Sequence, residues 1–141
     1  MPIDNLDDLW KNINERILRG DSVRSCMKIL SQYSGQDYKQ YVYVNHLKYN
    51  RFIYKKTDKL EMVIVTWDKS QSSGFHGHPG ECIYKLLMGD ISEFLKSKET
   101  KAIEQTELYV GDVGYIDNNI GYHNMFSVDG AVSLHIYSPP F

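Results

Sequence analysis

The stretch FHGHPGECIYKLLMG, residues 75–89, holds the densest cluster of metal-binding side chains in the sequence. Alternate side chains of an extended chain lie on the same face, so His76 and His78 can point in one direction and chelate one ion. A His-x-His pair alone is weak evidence, because many such pairs lie on protein surfaces. A third histidine, His123, follows a glycine-containing turn farther along the chain. Together the three histidines predict a metal site.

The residue types at this site narrow the choice of metal. Three neutral imidazoles on one face of an ion leave up to three coordination positions open, which suits the oxygen chemistry of Fe(II). Zn(II) also binds three histidines, usually with one water, so the sequence leaves zinc open. Glu81 is an alternative carboxylate ligand, but strand alternation directs it to the face opposite that of Cys82.

Composition and charge exclude several classes of protein. The chain has 141 residues and a formal net charge of −2, so no basic excess favours a nucleic-acid partner. Apolar runs such as residues 62–65 are far shorter than the roughly 20 residues that span a bilayer. Two cysteines, Cys26 and Cys82, are too few for a disulfide framework, and the first residues lack the pattern of a signal peptide. We expect a cytoplasmic protein without membrane or nucleic-acid partners, and a monomer.

The chain divides into a helical beginning and a β-rich remainder. Apolar residues recur at helical spacing over residues 6–18, with Asp4 or Asn5 as the capping residue, and a second apolar stripe covers residues 23–30. From about residue 42, short β-rich segments alternate with turn signals, which predicts a sandwich or a barrel. Eight strands are predicted, at residues 47–54, 60–67, 82–88, 91–95, 102–109, 113–116, 123–128 and 131–137.

The last predicted strand carries a row of polar side chains. Alternation places Ser133, His135 and Tyr137 on one face, and Leu134 and Ile136 on the other. This pattern fits an ordinary amphipathic strand whose polar face lies in water. It also fits a hydrogen-bonded Ser-His-Tyr row that lines the interior of a barrel, so the sequence leaves both interpretations open.

The layout around the first two histidines resembles the first motif of the cupin superfamily. That motif has His-x-His, then three or four residues, a Glu, six residues and a Gly; here Cys82 occupies the Glu position and Gly89 the Gly position. His123 lies where the second cupin motif places its ligand. The resemblance implies one mainly β cupin domain over the whole chain. A double-stranded β-helix (jelly-roll) barrel would occupy residues 42–141, with short N-terminal helices in residues 1–40 packed on it.

Within the cupins, the chain resembles cysteine dioxygenase of the thiol dioxygenase group. The matching motifs occur in order and cover nearly the whole chain. They are Tyr49-Asn50-Arg51, Trp67, His76-Gly77-His78, Cys82 with Lys85-Leu86-Leu87 and Gly89, Gly121-Tyr122-His123, and the closing AVSLHIYSPPF of residues 131–141.

This resemblance implies a metal, a substrate and a reaction. His76, His78 and His123 would bind Fe(II), the cofactor. Arg51, with Tyr49 beside it, would hold the carboxylate of L-cysteine, because a guanidinium forms a bidentate, charge-assisted pair with a carboxylate. The reaction would be the oxidation of L-cysteine by O2 to cysteine sulfinic acid.

The resemblance also implies a group of supporting residues. Tyr137 would flank the substrate carboxylate, His135 held by Ser133 would orient the Tyr137 hydroxyl, and Trp67 precedes the metal motif as in the family. Cys82 would lie beside Tyr137, and family members can join these two side chains through a thioether bond. The turn before Cys82 is one residue shorter than in vertebrate members, so the sequence leaves the bond open. A cis peptide bond is implied before the first proline of the closing motif.

Other functions are compatible with parts of this pattern. The nearest alternative is the same chemistry on 3-mercaptopropionate, cysteamine or a peptide N-terminal cysteine, although Arg51 favours a thiol that carries a carboxylate. A non-catalytic metal-binding cupin is the alternative from another class; the three histidines together with Arg51 and Tyr137 weigh against it. A zinc-bound cupin isomerase or hydrolase is the third.

Overall fold

The computed structural model describes residues 2–141 of the protein. Short helices form its N-terminal part. Asn5 caps the first helix, because its side chain accepts a 2.8 Å hydrogen bond from the Asp8 backbone N–H. The predicted second helix divides into a 3₁₀ turn and a short α-helix, since the Ser25 N–H and hydroxyl both bond to the Ser22 carbonyl. The helical elements are α1 (Leu6–Leu18), a 3₁₀ helix (Val23–Cys26), α2 (Met27–Ser31) and a second 3₁₀ helix (Asp37–Tyr41). Within the described residues, no helix is long and apolar enough to cross a membrane.

Within residues 2–141, nine strands follow the helical part, and eight of them correspond to predicted strands. The additional strand, Gln71–Ser72, lies in a segment with turn signals and pairs with Ser127 and Phe126. Two residues are too few for an alternating pattern, so the sequence cannot reveal such a strand. The strands are β1 (Asn50–Lys56), β2 (Glu61–Trp67), β3 (Gln71–Ser72), β4 (Glu81–Gly89), β5 (Ile91–Ser97), β6 (Ile103–Leu108), β7 (Val113–Asp117), β8 (Gly121–Ser127) and β9 (Ala131–Ser138).

The strands form two antiparallel sheets whose inner faces meet. One sheet has the order β1-β2-β9-β4-β7, and the other has the order β3-β8-β5-β6. Most sequential strands from β2 to β9 therefore cross between the sheets, as from β4 to β5 and from β6 to β7, which is the jelly-roll arrangement of a cupin barrel. This confirms the predicted fold class. Strand β9 is central to the larger sheet, since it pairs with β2 on one side and β4 on the other.

Both faces of the central strands β2 and β9 of the larger sheet are buried, in two separate apolar clusters. On the outer face, Ile64, Ile83 and Leu134 belong to one cluster with helical residues such as Leu9. On the inner face, a second cluster extends across the barrel to residues of the smaller sheet such as Met125. Each fully buried aliphatic side chain of this kind contributes about 1.5–3 kcal/mol of transfer free energy. The helices thus cover one side of the sheet, and the site lies on the other.

Tyr84 of β4 fills part of the barrel interior next to Gly114 of β7. The two residues are partners across the β4–β7 pair, and a Cβ atom at position 114 would lie 2.3 Å from a carbon of the Tyr84 ring. The Tyr84 side chain is buried, so a displaced ring would disturb its neighbours. Glycine at position 114 is therefore required for space.

Gly114→Ala is expected to lower the free energy of unfolding by about 1–3 kcal/mol, because overpacking a filled interior costs that much. Chemical denaturation of the wild type and the variant measures the difference. The control is the same substitution in a Tyr84→Leu background, where the smaller side chain removes the clash and the cost should shrink. An equal cost in both backgrounds would contradict this explanation.

Candidate active site

Three histidines from two segments of the chain converge inside the barrel. His76 and His78 lie between β3 and β4, whereas His123 lies on β8. The backbones of His76 and His123 form a β-bridge with hydrogen bonds of 3.0 and 3.1 Å, which joins the two segments. One ring nitrogen of each histidine lies within 4.8 Å of the others. This grouping fits a metal site.

Hydrogen bonds determine the tautomers of two of these imidazoles. His76 Nδ1 lies 3.0 Å from the Gly74 carbonyl, and His123 Nδ1 lies 2.8 Å from the Glu93 carboxylate. Both partners are acceptors, so each Nδ1 carries a proton and donates it. In the neutral form of each ring, Nε2 then presents a lone pair, and the two Nε2 atoms are 3.0 Å apart. Two facing lone pairs repel at this distance, and a cation between them removes the repulsion.

His78 completes the group with an unpaired nitrogen. Its side chain is buried, and its Nδ1 has no hydrogen-bond partner. Burial, reinforced by the neighbouring His123 and His76, lowers the pKa of His78 to about 3. Burial also lowers the pKa of His76. Both rings are therefore neutral near pH 7, the form in which imidazole binds a metal, so these side chains fit a bound ion.

Glu93 of β5 supports His123, a role that the sequence analysis missed. Besides its bond to His123, the carboxylate accepts a hydrogen bond from the Tyr84 hydroxyl. A carboxylate in this position orients a ligand imidazole and raises its basicity. The signal was present in the strand pattern, because Glu93 shares a strand face with Ile91 and Leu95, both of which pack in or against the inner apolar cluster. An acidic residue on an apolar strand face needs a hydrogen-bonding or charged partner, since burial of an unpaired carboxylate is costly.

Glu93→Gln is expected to weaken metal binding by about tenfold or more, because a neutral amide replaces the charged acceptor of the His123 N–H. Competition with a chelator measures the affinity of the purified protein. Glu107→Gln is the matched control: Glu107 is an exposed carboxylate in the same sheet and hydrogen-bonds to Ser92. Equal metal affinities for the two variants would show that Glu93 does not support the site.

A cationic side chain lies in the cavity beside the histidines. Arg51 of β1 lines this cavity together with Tyr49, His76 and Tyr137. The Arg51 Cζ atom lies 5.4 Å from the centre of the Tyr137 ring, and the buried Nη2 atom has no hydrogen-bond partner. Tyr49 stacks on Trp67 with ring centres 4.8 Å apart. A guanidinium with unused donors next to a cation site can bind a carboxylate.

The polar row of β9 faces the barrel interior rather than water. The side chains of Ser133, His135 and Tyr137 are all buried. Trp67 Nε1 donates to Ser133 Oγ over 3.0 Å, and a 2.7 Å hydrogen bond joins Ser133 Oγ to His135 Nε2. His135 contacts Tyr137 by ring stacking, with ring centres 6.0 Å apart. Burial lowers the pKa of His135 and raises the pKa of Tyr137, so both are neutral near pH 7.

Cys82 and Tyr137 are direct neighbours across the β4–β9 pair. Both side chains belong to the inner cluster. Cys82 is fully buried, and burial raises the pKa of its thiol, which is therefore protonated near pH 7. The Cys82 Sγ atom lies 3.6 Å from the carbonyl of Ile83. The thioether bond between Cys82 and Tyr137 stays a prediction.

Two other side chains of a metal-binding type, Glu81 and His46, lie apart from the histidine group. The Glu81 carboxylate accepts a 2.7 Å hydrogen bond from the Tyr115 hydroxyl and is not among the clustered metal-binding side chains. His46 is exposed and pairs with Asp68. Neither residue belongs to the cavity that Arg51 and His76 line.

Phe141 and Glu61 adjoin the site, and the sequence analysis identified neither. The Ser138–Pro139 peptide bond is cis, which confirms that prediction. Beyond it, the Phe141 ring lies 5.4 Å from the ring of His78 and lines the same cavity. The Phe141 N–H donates a 3.0 Å hydrogen bond to Glu61. No local pattern signals these contacts, since Glu61 and Phe141 are 80 residues apart.

Comparison with solved structures supports the fold. A cupin superfamily protein from Desulfitobacterium hafniense matches with a TM-score of 0.61 and 12% sequence identity, covering 72% of this chain and 86% of that protein. At this identity the likeness shows the fold alone. The barrel and the three clustered histidines together define a cupin with a site that fits a metal.

Sequence comparison identifies the family. The profile of cysteine dioxygenase type I matches residues 5–141, and the chain belongs to this family. Cysteine dioxygenase type 1 of Danio rerio is 28% identical, covering 100% of this chain and 78% of the relative. The protein of the same name from Rattus norvegicus is 30% identical, covering 96% of this chain and 75% of the relative.

Proposed function

We propose that the protein is a cysteine dioxygenase that uses Fe(II) and O2 to oxidise L-cysteine to cysteine sulfinic acid. The observation that carries this proposal is a single cavity lined both by His76 of the histidine group and by Arg51, whose buried Nη2 atom has no hydrogen-bond partner. Membership of the cysteine dioxygenase type I family supports the same activity. The reaction adds both atoms of O2 to the thiol sulfur, so the thiol and O2 balance the sulfinic acid without another reactant.

His76, His78 and His123 would hold the iron as neutral imidazoles. Fe(II) bound by three histidines supplies open coordination positions and the redox chemistry for the reaction of a thiol with O2. The residues of the chain contribute the ligand geometry. Glu93 keeps the His123 ring oriented, and the Gly74 carbonyl does the same for His76.

Arg51 would bind the substrate carboxylate. Its guanidinium faces the cavity, and an arginine pairs with a carboxylate through two parallel, charge-assisted hydrogen bonds. Two point contacts, carboxylate to Arg51 and thiol near the histidines, would orient cysteine across the cavity. A thiol without a carboxylate would lose the first contact.

Tyr137 would donate a hydrogen bond to the substrate. Burial raises the pKa of its hydroxyl, so the proton is retained near pH 7 and is available to an anionic oxygen. The ring position is set by stacking on His135, which Ser133 holds through a hydrogen bond. Trp67 completes this support because it donates to Ser133. A thioether bond from Cys82 would restrict the ring further.

Oxygen uptake by the purified, Fe(II)-loaded protein tests the function. The thiols compared are L-cysteine, 3-mercaptopropionate, cysteamine and a peptide with an N-terminal cysteine, and mass spectrometry identifies each product. We expect the fastest uptake with L-cysteine, one O2 consumed per thiol, and a product heavier by two oxygen atoms. Zn(II)-loaded protein is the control. Oxygen uptake with none of these thiols would contradict the proposal, and preference for another thiol would reassign the substrate.

Arg51→Met is expected to raise the KM for L-cysteine about 30-fold or more, since losing a charge-assisted pair at a partly desolvated site costs about 2 kcal/mol or more. The KM for cysteamine should change little, because that thiol has no carboxylate. Steady-state oxygen uptake gives both constants. Lys55→Met is the matched control, since Lys55 lies on the same strand but pairs with Asp7. A variant that keeps the wild-type KM for L-cysteine would show that Arg51 does not bind its carboxylate.

Intact-mass analysis tests the bond between Cys82 and Tyr137. Coupling of sulfur to the ring removes two hydrogens, so we expect a lighter species that increases during aerobic turnover with cysteine. Cys82→Ser should abolish that species and lower activity without eliminating it, because the histidines and Arg51 are retained. Cys26→Ser is the control, since Cys26 lies in the outer cluster. An unchanged mass after many turnovers would show that the bond does not form.

A further inference from the structure

Glu61 is a buried acid that the proposed reaction does not use. Among residues 2–141 it is the only acidic side chain in the buried class, with 1% exposure. It lies at the start of β2, directly opposite Tyr137 in the β2–β9 pair. Direct partners in an antiparallel pair present their side chains on the same face, so Glu61 faces the barrel interior with Tyr137.

The Glu61 carboxylate has two partners. Its Oε1 atom lies 3.7 Å from Arg51 Nη2 and accepts the 3.0 Å hydrogen bond from the Phe141 N–H. The contact with Arg51 is thus an ion pair without a hydrogen bond. A buried carboxylate needs a nearby cation to be stable in its charged form. Arg51 is the cation that the structure provides for Glu61.

The same guanidinium is enclosed by aromatic rings. The Arg51 Cζ atom lies 5.4 Å from the centre of the Tyr137 ring and 5.3 Å from that of the Phe141 ring. Glu61 therefore contacts Arg51 directly through the ion pair. It also acts on Arg51 indirectly, because it hydrogen-bonds to the backbone of Phe141, whose ring lies beside the guanidinium. These contacts hold the guanidinium at the cavity wall before any substrate is present.

We propose that Glu61 is a positioning and specificity residue, which holds Arg51 at the cavity and offsets part of its positive charge. Arg51 without Glu61 would give the site a strong preference for thiols that carry a carboxylate. With Glu61 present, that preference is weaker. This inference rests on the proposed function, because it takes the substrate carboxylate to bind at Arg51. With substrate bound, two carboxylates share one guanidinium in a partly dehydrated site. Their repulsion weakens the binding of every substrate that carries a carboxylate.

Glu61→Gln tests the proposal by removing the charge while keeping the size and the acceptor for the Phe141 N–H. Binding of L-cysteine and of cysteamine to the Fe(II)-loaded protein is measured by calorimetry without oxygen. The two thiols share the amine and the thiol and differ in the carboxylate, so the ratio of their Kd values isolates that group. We expect this ratio to shift toward L-cysteine by about tenfold, as expected for the loss of one like charge at such a distance.

A further variant controls for indirect effects. Glu81→Gln removes a carboxylate at the same end of the larger sheet, but Glu81 hydrogen-bonds to Tyr115 and lies outside the cavity. This variant should keep the wild-type ratio. Glu61→Asn replaces Glu61→Gln if the latter does not fold.

Each result decides the proposal independently of turnover. An unchanged ratio in Glu61→Gln would overturn it, and so would a shift toward cysteamine, which would mean that Glu61 only holds Arg51 in place. Oxygen uptake by the wild type is recorded in parallel. Its failure would contradict the proposed dioxygenase function, while the anaerobic ratio would still decide the role of Glu61.

Discussion

Burial of both faces of β9 is the constraint on which the site depends. One face of this strand packs under the helices and the other lines the cavity. A slip of one residue in either pairing would exchange the two faces, placing His135 in the apolar cluster and Leu134 in the cavity. The register is therefore strongly specified. It places Glu61 and Cys82 on either side of Tyr137, one on each neighbouring strand.

The dry interior imposes a second requirement, which is that polar groups find partners. A buried polar group without one costs about 1–3 kcal/mol. Two hydrogen-bonded chains meet this requirement, Trp67–Ser133–His135 and Tyr84–Glu93–His123. Of the three buried side-chain atoms without a partner in residues 2–141, two belong to the site, Arg51 Nη2 and His78 Nδ1. A carboxylate would satisfy the Arg51 donor, so the fold leaves this donor available to a ligand.

Much of the fold was predictable because strands and turns are marked locally. Turn residues separate the β-rich segments, and eight of nine strands follow from them. The two-residue strand Gln71–Ser72 was not predictable, because it exists only through its pairing with β8. Strand β2 shows a different limit. It is buried along its whole length, so alternation cannot tell which of its residues face the cavity, and Glu61 at its start looks like an ordinary solvent-facing acid.

The sequence by itself determined the residue types and their local spacing: the His-x-His pair, Arg51 on its strand, and the Ser-His-Tyr alternation of β9. These depend on the period of an extended chain, which neighbouring residues set. Only the tertiary structure decided which groups meet across the barrel. Glu93 reaches His123 across 30 residues of sequence, and Glu61 reaches Arg51 and Phe141. Such contacts follow from strand register and from the packing of one sheet on another, which no local pattern encodes.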